Sequence, residues 1–295
     1  MRHRTLGDVR VGAIGYGAMP LSIEGHPDEA RAVATVHAAL DAGITLIDTA
    51  DSYHAPNGEP GHNELLVARA LATYGGDRDA VLVATKGGRG RTPDGGWTVD
   101  GDPRRLKRVC EESLRRLGTE AIGLYQLHKP DPDVPFADSL GALRELLDAG
   151  TVRLAGISNV DTAQIRLARD ILGDRLVSVQ NRYSPAVRDS APELRLCAEL
   201  GIAFLPWSPL GGVSRSSLDG TSGIAADDTH AAFHTVAAER GVSPQQVCLA
   251  WLLAASPTVV PIPGATRPQT VRDSAAAADL VLTEGELARL GAHGV

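Results

Sequence analysis

The sequence predicts an α/β fold, a single (β/α)8 TIM barrel domain over residues 1–295 with an additional C-terminal helix. Three observations point there. Short apolar runs of strand type alternate with helical periodicity along the chain, the pattern of βαβ units around a parallel sheet. The length, with 43% apolar residues, suffices for one large core. The Gly- and Pro-rich stretches 53–61, 87–101 and 209–229 follow strand ends, where the loops of such a barrel build its active site. A doubly wound dinucleotide-binding sheet is the alternative. Against it, Gly12-Ala13-Ile14-Gly15-Tyr16-Gly17 lacks the G-x-G-x-x-G spacing and reads as strand.

In chain order the strand candidates are residues 13–16, 45–48, 81–85, 122–126, 154–157, 178–180, 203–206 and 259–261. Over 28–42, Ala30, Val33, Ala34, Val36 and Leu40 recur with a period near 3.6, and Gly43 stops the helix. The helix over 102–117 has Asp102 as N-cap, Pro103 at its first position and Gly118 behind it. Further helices fit 161–172, 192–200, 230–240, 243–254 and 268–277, and 283–290 forms the terminal one. No composition break divides the chain.

A net charge of −7, spread without a basic block, argues against a nucleic-acid or anionic-membrane partner. Residues 1–8 lack the apolar core of a signal peptide, and no stretch approaches 18 apolar residues, so a cytoplasmic protein is expected. Cys110, Cys197 and Cys248 stand apart in helix-like segments and read as small core residues. His54 and His62 lack a third ligand at metal spacing, so no metal site is expected. No assembly stripe is evident, which leaves a monomer or small homo-oligomer.

Ionisable groups cluster at successive strand ends: Asp48 and Tyr53 after the second, Lys86 after the third, His128 after the fourth. A buried Lys⁺ beside a Tyr favours phenolate and is expected to lower its pKa, with Asp⁻ holding the Lys charged. His128 could polarise a carbonyl oxygen or share in proton transfer. Structural ion pairing is the bland reading of Asp48 and Lys86.

Ile47-Asp48-Thr49-Ala50-Asp51-Ser52-Tyr53, Ala84-Thr85-Lys86, Leu124-Tyr125-Gln126-Leu127-His128 and Gly156-Ile157-Ser158-Asn159 together resemble the aldo-keto reductase family, over essentially the whole chain. The resemblance implies the barrel fold, reversible NAD(P)H-dependent reduction of a small-molecule carbonyl, and a catalytic tetrad of Asp48, Tyr53, Lys86 and His128. It also implies that Ser158, Asn159 and Gln180 hold the nicotinamide carboxamide and that Trp207 stacks on the ring. By the same likeness, backbone amides of Ser208, Leu210 and Gly212 meet the pyrophosphate, and the segment with Gly264 and Arg267 holds the adenosine end. Ser158-Asn159 also fits a helix N-cap, Trp207 a core aromatic and Arg267 a solvated charge.

Where many members carry Lys-Ser after an Ile-Pro, this chain has Gly264-Ala265 within Pro261-Ile262-Pro263-Gly264. That form resembles bacterial branches related to the potassium-channel β-subunits, in which Arg267 takes over phosphate contact. The implied cofactor is NADPH, with NADH as the alternative. Met19, Pro20, Tyr53, Trp97 and Trp207 are candidates to line the substrate pocket; Trp97 fits an exposed aromatic nearly as well, and Tyr183 is evenly balanced between site and core. Within the resemblance, pyridoxal-like, sugar-derived and secondary-metabolite carbonyls are all open as substrates. A Schiff-base enzyme built on Lys86 and a regulatory binding protein are the competing functions.

Overall fold

Residues 1–214 and 230–291 are described by the computed structural model of the chain. The N-terminus folds as an antiparallel hairpin of β1 (His3–Leu6) and β2 (Val9–Gly12), turned at Gly7 with a left-handed φ of 60°. Its Leu6 and Val11 are fully buried and join Leu46, Leu124, Val177 and Val260 in the barrel interior. A Cβ at Gly7 would stand 2.7 Å from Val177, so the turn lies directly against the barrel. Sequence reading leaves these residues outside any element, because only one side of so short a hairpin is apolar.

The first barrel strand is β3 (Tyr16–Gly17), later than the expected 13–16. Next come α1 (Glu29–Asp41), capped by an Asp28 carboxylate that accepts from the Arg31 amide, and β4 (Leu46–Asp48). The sequence carries no start signal for α2 (His62–Thr73): it begins at left-handed Gly61 without a capping side chain, and its first turn buries the polar Asn63 and Glu64. After β5 (Leu82–Gly87), the stretch expected as a Gly-rich loop holds a second hairpin, β6 (Arg89–Arg91) paired antiparallel with β7 (Trp97–Val99).

As expected, α3 (Pro103–Leu117) runs from Asp102, which accepts from the Arg104 and Arg105 amides, to left-handed Gly118. Then follow β8 (Ile122–Leu127) and α4 (Phe136–Asp148), another unsignalled helix, whose N-cap Pro135 offers no side-chain acceptor. The remaining units are β9 (Val152–Ser158), α5 (Thr162–Leu172), β10 (Leu176–Gln180), α6 (Ala191–Leu200), β11 (Ala203–Phe204), α7 (Ala231–Arg240), α8 (Pro244–Ala255), α9 (Pro268–Ala276) and the terminal α10 (Glu284–Arg289). The expected loop over 209–229 is described as far as Ser214; its remainder and 292–295 lie outside the described residues.

Seven strands pair in parallel in the order β11-β10-β9-β8-β5-β4-β3. Residues 258–264 close the ring. On one side, the Val260 amide donates to the Phe204 carbonyl at 2.9 Å and the Ile262 amide to the Pro206 carbonyl at 3.3 Å. On the other, the carbonyls of Pro261 and Pro263 accept from Gly15 at 2.9 Å and Gly17 at 3.1 Å. Proline has no N–H to return, so half of the ladder toward β3 is missing, and the eighth strand is a run of bridges instead of a continuous ladder. The (β/α)8 barrel is thus complete, with a second apolar layer between strands and helices. Cys110, Cys197 and Cys248 are buried, unpaired thiols.

Candidate active site

Because the strands are parallel, the residues at their C-terminal ends share one rim. Asp48 ends β4, Lys86 lies one residue before the end of β5, His128 follows β8, Ser158 ends β9 and Gln180 ends β10. They converge on a cavity of about 460 Å³.

Lys86 is fully buried beneath the cavity. Its ammonium donates to Asp48 Oδ2 at 2.6 Å, the Thr49 carbonyl at 2.9 Å and the Tyr53 hydroxyl at 3.0 Å. These three acceptors match its three protons. The other Asp48 oxygen accepts from Gln180 Nε2 at 2.8 Å and Gln126 Nε2 at 3.2 Å. Burial alone would lower the Lys86 pKa, but Asp48 and Tyr53 outweigh it, so the shift is upward and the residue stays a cation.

Tyr53 differs from expectation. Burial raises its pKa, the Lys86 charge lowers it by less, and the net shift is upward. At neutral pH it is therefore a phenol that carries its proton. Its oxygen accepts from Lys86, and its own O–H has no acceptor among the described residues although the side chain lines the cavity. His128 packs edge-on against the Tyr53 ring with centroids 5.6 Å apart, and its Nδ1 lies 3.5 Å from Ser52 Oγ. Burial, then the charges of Lys86 and Arg89, push the His128 pKa well down, so its imidazole is neutral.

A buried layer fixes the loop that carries Asp48 and Tyr53. Thr49 Oγ1 donates to Asn63 Oδ1 at 2.6 Å, while Asn63 Nδ2 donates to the Ala18 carbonyl and to Ser22 Oγ. Glu64 accepts from Thr85 Oγ1 at 2.6 Å and from Arg116 at 3.0 Å. Sequence reasoning missed this layer along with α2. Alongside it, Asp51 is buried, one of its oxygens has no partner, and burial followed by Glu64 pushes its pKa up to about 8.

Ser158 Oγ donates to the Gln180 carbonyl at 2.6 Å. Asn159, at a left-handed φ of 59°, donates to the His128 carbonyl at 2.9 Å, and its Oδ1 accepts from Trp207 Nε1 at 3.2 Å. The N-cap alternative for Ser158-Asn159 is overturned: Asp161 caps α5, in a capping box with Gln164. Trp207 is half-buried and lines the cavity. Among described residues, Asn159 and Ser208 are the two non-glycines at positive φ, and both lie on the cavity wall, where backbone strain tends to gather at functional sites.

Leu210, Gly264 and Arg267 also line the cavity, as do Met19, Pro20 and Trp97. Gly212 lies outside the lining; a Cβ there would stand 2.6 Å from the His230 ring. Tyr183 is a core residue, stacked on Trp251 at 6.0 Å. His54 and His62 bond to the Ala55 carbonyl and Ser22 Oγ. Sequence reasoning also missed Arg89 on the wall, whose only signal is its place three residues beyond Lys86.

The chain matches the profile of the aldo/keto reductase family over residues 13–294. It belongs to that family. It is 33% identical over 293 residues to an uncharacterized oxidoreductase of Schizosaccharomyces pombe, covering 98% of this chain and 89% of that protein. Among solved structures it resembles a glycerol dehydrogenase from Gluconobacter oxydans (TM-score 0.84, 27% identity, 98% and 94% of the two chains covered). It also resembles an aldo/keto reductase from Klebsiella pneumoniae in complex with NADP and acetate (TM-score 0.78, 29% identity, 98% and 93% covered). As an aldo/keto reductase it is of an oxidoreductase class, and among the described residues no helix is long and apolar enough to cross a membrane.

Proposed function

We propose that this aldo/keto reductase reduces an aldehyde or ketone to an alcohol with NADPH, and that Tyr53 is the proton donor. The observation that carries this reading is the hydrogen bonding of Lys86. With all three of its protons committed, one of them to the Tyr53 oxygen, the remaining phenolic proton is left for a group in the cavity.

The cavity walls fit a dinucleotide. At one end stand Tyr53, His128 and the indole of Trp207; at the other stand Arg267 and Thr270, where α9 begins without a side-chain cap and leaves its first amides to an anion. Gly17 and Gly264 form a close-packed wall between, since a Cβ at Gly264 would meet Pro20 at 2.7 Å and one at Gly17 would meet the Ile262 carbonyl at 2.8 Å. The NADP complex of the Klebsiella relative supports the same cofactor here, with NADH as the alternative.

Bound NADPH supplies a hydride from its nicotinamide. Ser158, Asn159 and Gln180 would hold its carboxamide. Gln180 must present its amide nitrogen to Asp48, because a carboxylate only accepts, so its oxygen remains to accept from that carboxamide. Trp207 would bear on the nicotinamide, Ser208 and Leu210 would offer backbone amides to the pyrophosphate, with Gly212 just behind the lining, and Gly264 and Arg267 would take the adenosine end. Neutral His128 donates a hydrogen bond to the substrate oxygen, Tyr53 gives it a proton, and Lys86, kept charged by Asp48, stabilises the phenolate left behind. A Schiff-base role for Lys86 is disfavoured because a nucleophilic amine must be neutral, whereas this one is held charged.

Tyr53→Phe tests the assignment. The variant should fold and bind NADPH nearly as the parent does, with turnover lower by roughly 10²–10⁴-fold, the usual range for a general acid. Steady-state NADPH oxidation over a panel of aldehydes and ketones measures it, and near-normal turnover would remove Tyr53 from its role.

A further inference from the structure

Arg89 and Arg91 project from β6 onto Trp97, with guanidinium carbons 4.7 Å and 4.4 Å from the ring. Stacking uses the face of a guanidinium and leaves the N–H groups of its edge to bond in plane. In Arg91 both terminal nitrogens are committed, pairing with Glu24 and donating to the His54 and Gly95 carbonyls, although its Nε is buried without an acceptor. Arg89 forms no ion pair and no side-chain hydrogen bond among the described residues, and its Nε is buried without an acceptor. Its side chain nonetheless lines the active-site cavity.

A half-buried cation without a counter-ion is costly unless something pairs with it. The cavity itself offers nothing, because Asp48 is neutralised by Lys86 and His128 is uncharged. Burial, not a carboxylate, dominates the downward shift of the Arg89 pKa, and its charge is felt by both Tyr53 and His128, with which it shares the cavity lining.

We propose that Arg89 is a specificity-determining residue that pairs with an anionic group of the substrate, so that the enzyme prefers carbonyl compounds bearing a carboxylate or phosphate ester over neutral ones. This rests on the reductase reading for its catalytic half. The planar, two-pronged edge of a guanidinium matches either oxyanion. Trp97, packed against both guanidinium groups, holds Arg89 in place for it.

The test compares wild type with Arg89→Leu and Arg89→Lys. Two substrate pairs are used with NADPH: 4-carboxybenzaldehyde against benzaldehyde, and glyceraldehyde 3-phosphate against glyceraldehyde. Benzoate and benzamide are titrated calorimetrically, with NADP present and absent. Wild type should favour at least one anionic member by about tenfold or more in kcat/KM, and which pair shows it separates carboxylate from phosphate. Arg89→Leu should erase that preference and weaken benzoate binding by about tenfold more than benzamide binding, while Arg89→Lys keeps part of both. No preference in wild type, or a preference that survives in Arg89→Leu, overturns the proposal even if neutral aldehydes are reduced. Arg89-dependent benzoate binding without reduction of any carbonyl would instead uphold the anion site and sink the reductase reading.

Discussion

Lys86 joins the two jobs that sequence reasoning had to weigh against each other, structural ion pair and catalytic partner. Its bond to Asp48 is the ion pair of the first, and its bond to Tyr53 is the contact that the proposed catalytic role requires. Lys86→Met therefore has two separable consequences. It leaves the Asp48 carboxylate buried with only amide partners, which should cost about 3–5 kcal/mol, and Asp48→Asn in the same chain should recover much of that loss. Activity should not return in the double variant. Removing the cation also takes away the influence that opposes burial at Tyr53, so the Tyr53 pKa should rise further and the alkaline limb of alcohol oxidation should move to higher pH. Denaturant titration gives the first result and a pH–rate profile the second. That Asp48, Tyr53, Lys86 and His128 meet was legible because each lies near the C-terminal end of a strand of one parallel sheet. The net direction of the Tyr53 shift was not, since it depends on how dry the site is.

At the scale of elements, legibility followed the strength of local signals. Asp102-Pro103 with Gly118 marks α3 in the sequence itself, whereas α2 and α4 begin at Gly61 and Pro135, which offer no capping side chain. The hairpin that presents Arg89 and Trp97 hides in a stretch whose glycines read as loop. α9 bears most directly on cofactor choice. Its N-cap is Arg267 with no capping bond, so an anion there would meet both the helix amides and the guanidinium. The 2′-phosphate of NADPH is such an anion, and NADH lacks it. Arg267→Ala should weaken NADPH binding by roughly 1.5–3 kcal/mol, about one to two decades, with a much smaller effect on NADH. Quenching of tryptophan fluorescence on titration with each cofactor reads the difference; equal losses would assign Arg267 to a part that the two cofactors share.

Across the whole molecule, the alternation of strands and helices made the barrel legible, while its closure was less so. Pro261 and Pro263 argue against a strand in isolation, yet their carbonyls and the amides of Val260 and Ile262 are what join the last position to both neighbours. The buried groups that stabilise the barrel also give its stability a pH dependence. His128, with its pKa held down in the fold, contributes stability that is present above its unfolded value near 6.5 and is lost as pH falls. Asp51 acts in the opposite sense. Its folded pKa is about 8 against an unfolded value near 3.9, so between them the folded state keeps a proton that the unfolded state has released, and stability falls as pH rises through that window. Above pH 6.5 the Asp51 contribution dominates, while His128 adds back about 0.4 kcal/mol as the unfolded state gives up its remaining imidazole protons. Wild-type unfolding free energy should therefore drop by about 1.5 kcal/mol between pH 6.5 and 8.5, about 2 kcal/mol lost at Asp51 less the His128 gain, since each pH unit below the folded pKa is worth about 1.4 kcal/mol. Asn at this position has no proton to release and keeps the same shape. Asp51→Asn should flatten the profile above pH 6.5 and leave the molecule more stable than wild type at pH 8.5, as measured by denaturant titration at the two pH values. Parallel slopes in both proteins would show that the Asp51 carboxyl is ionised in the folded state well below pH 8, held so by the nearby Arg116 and Arg105.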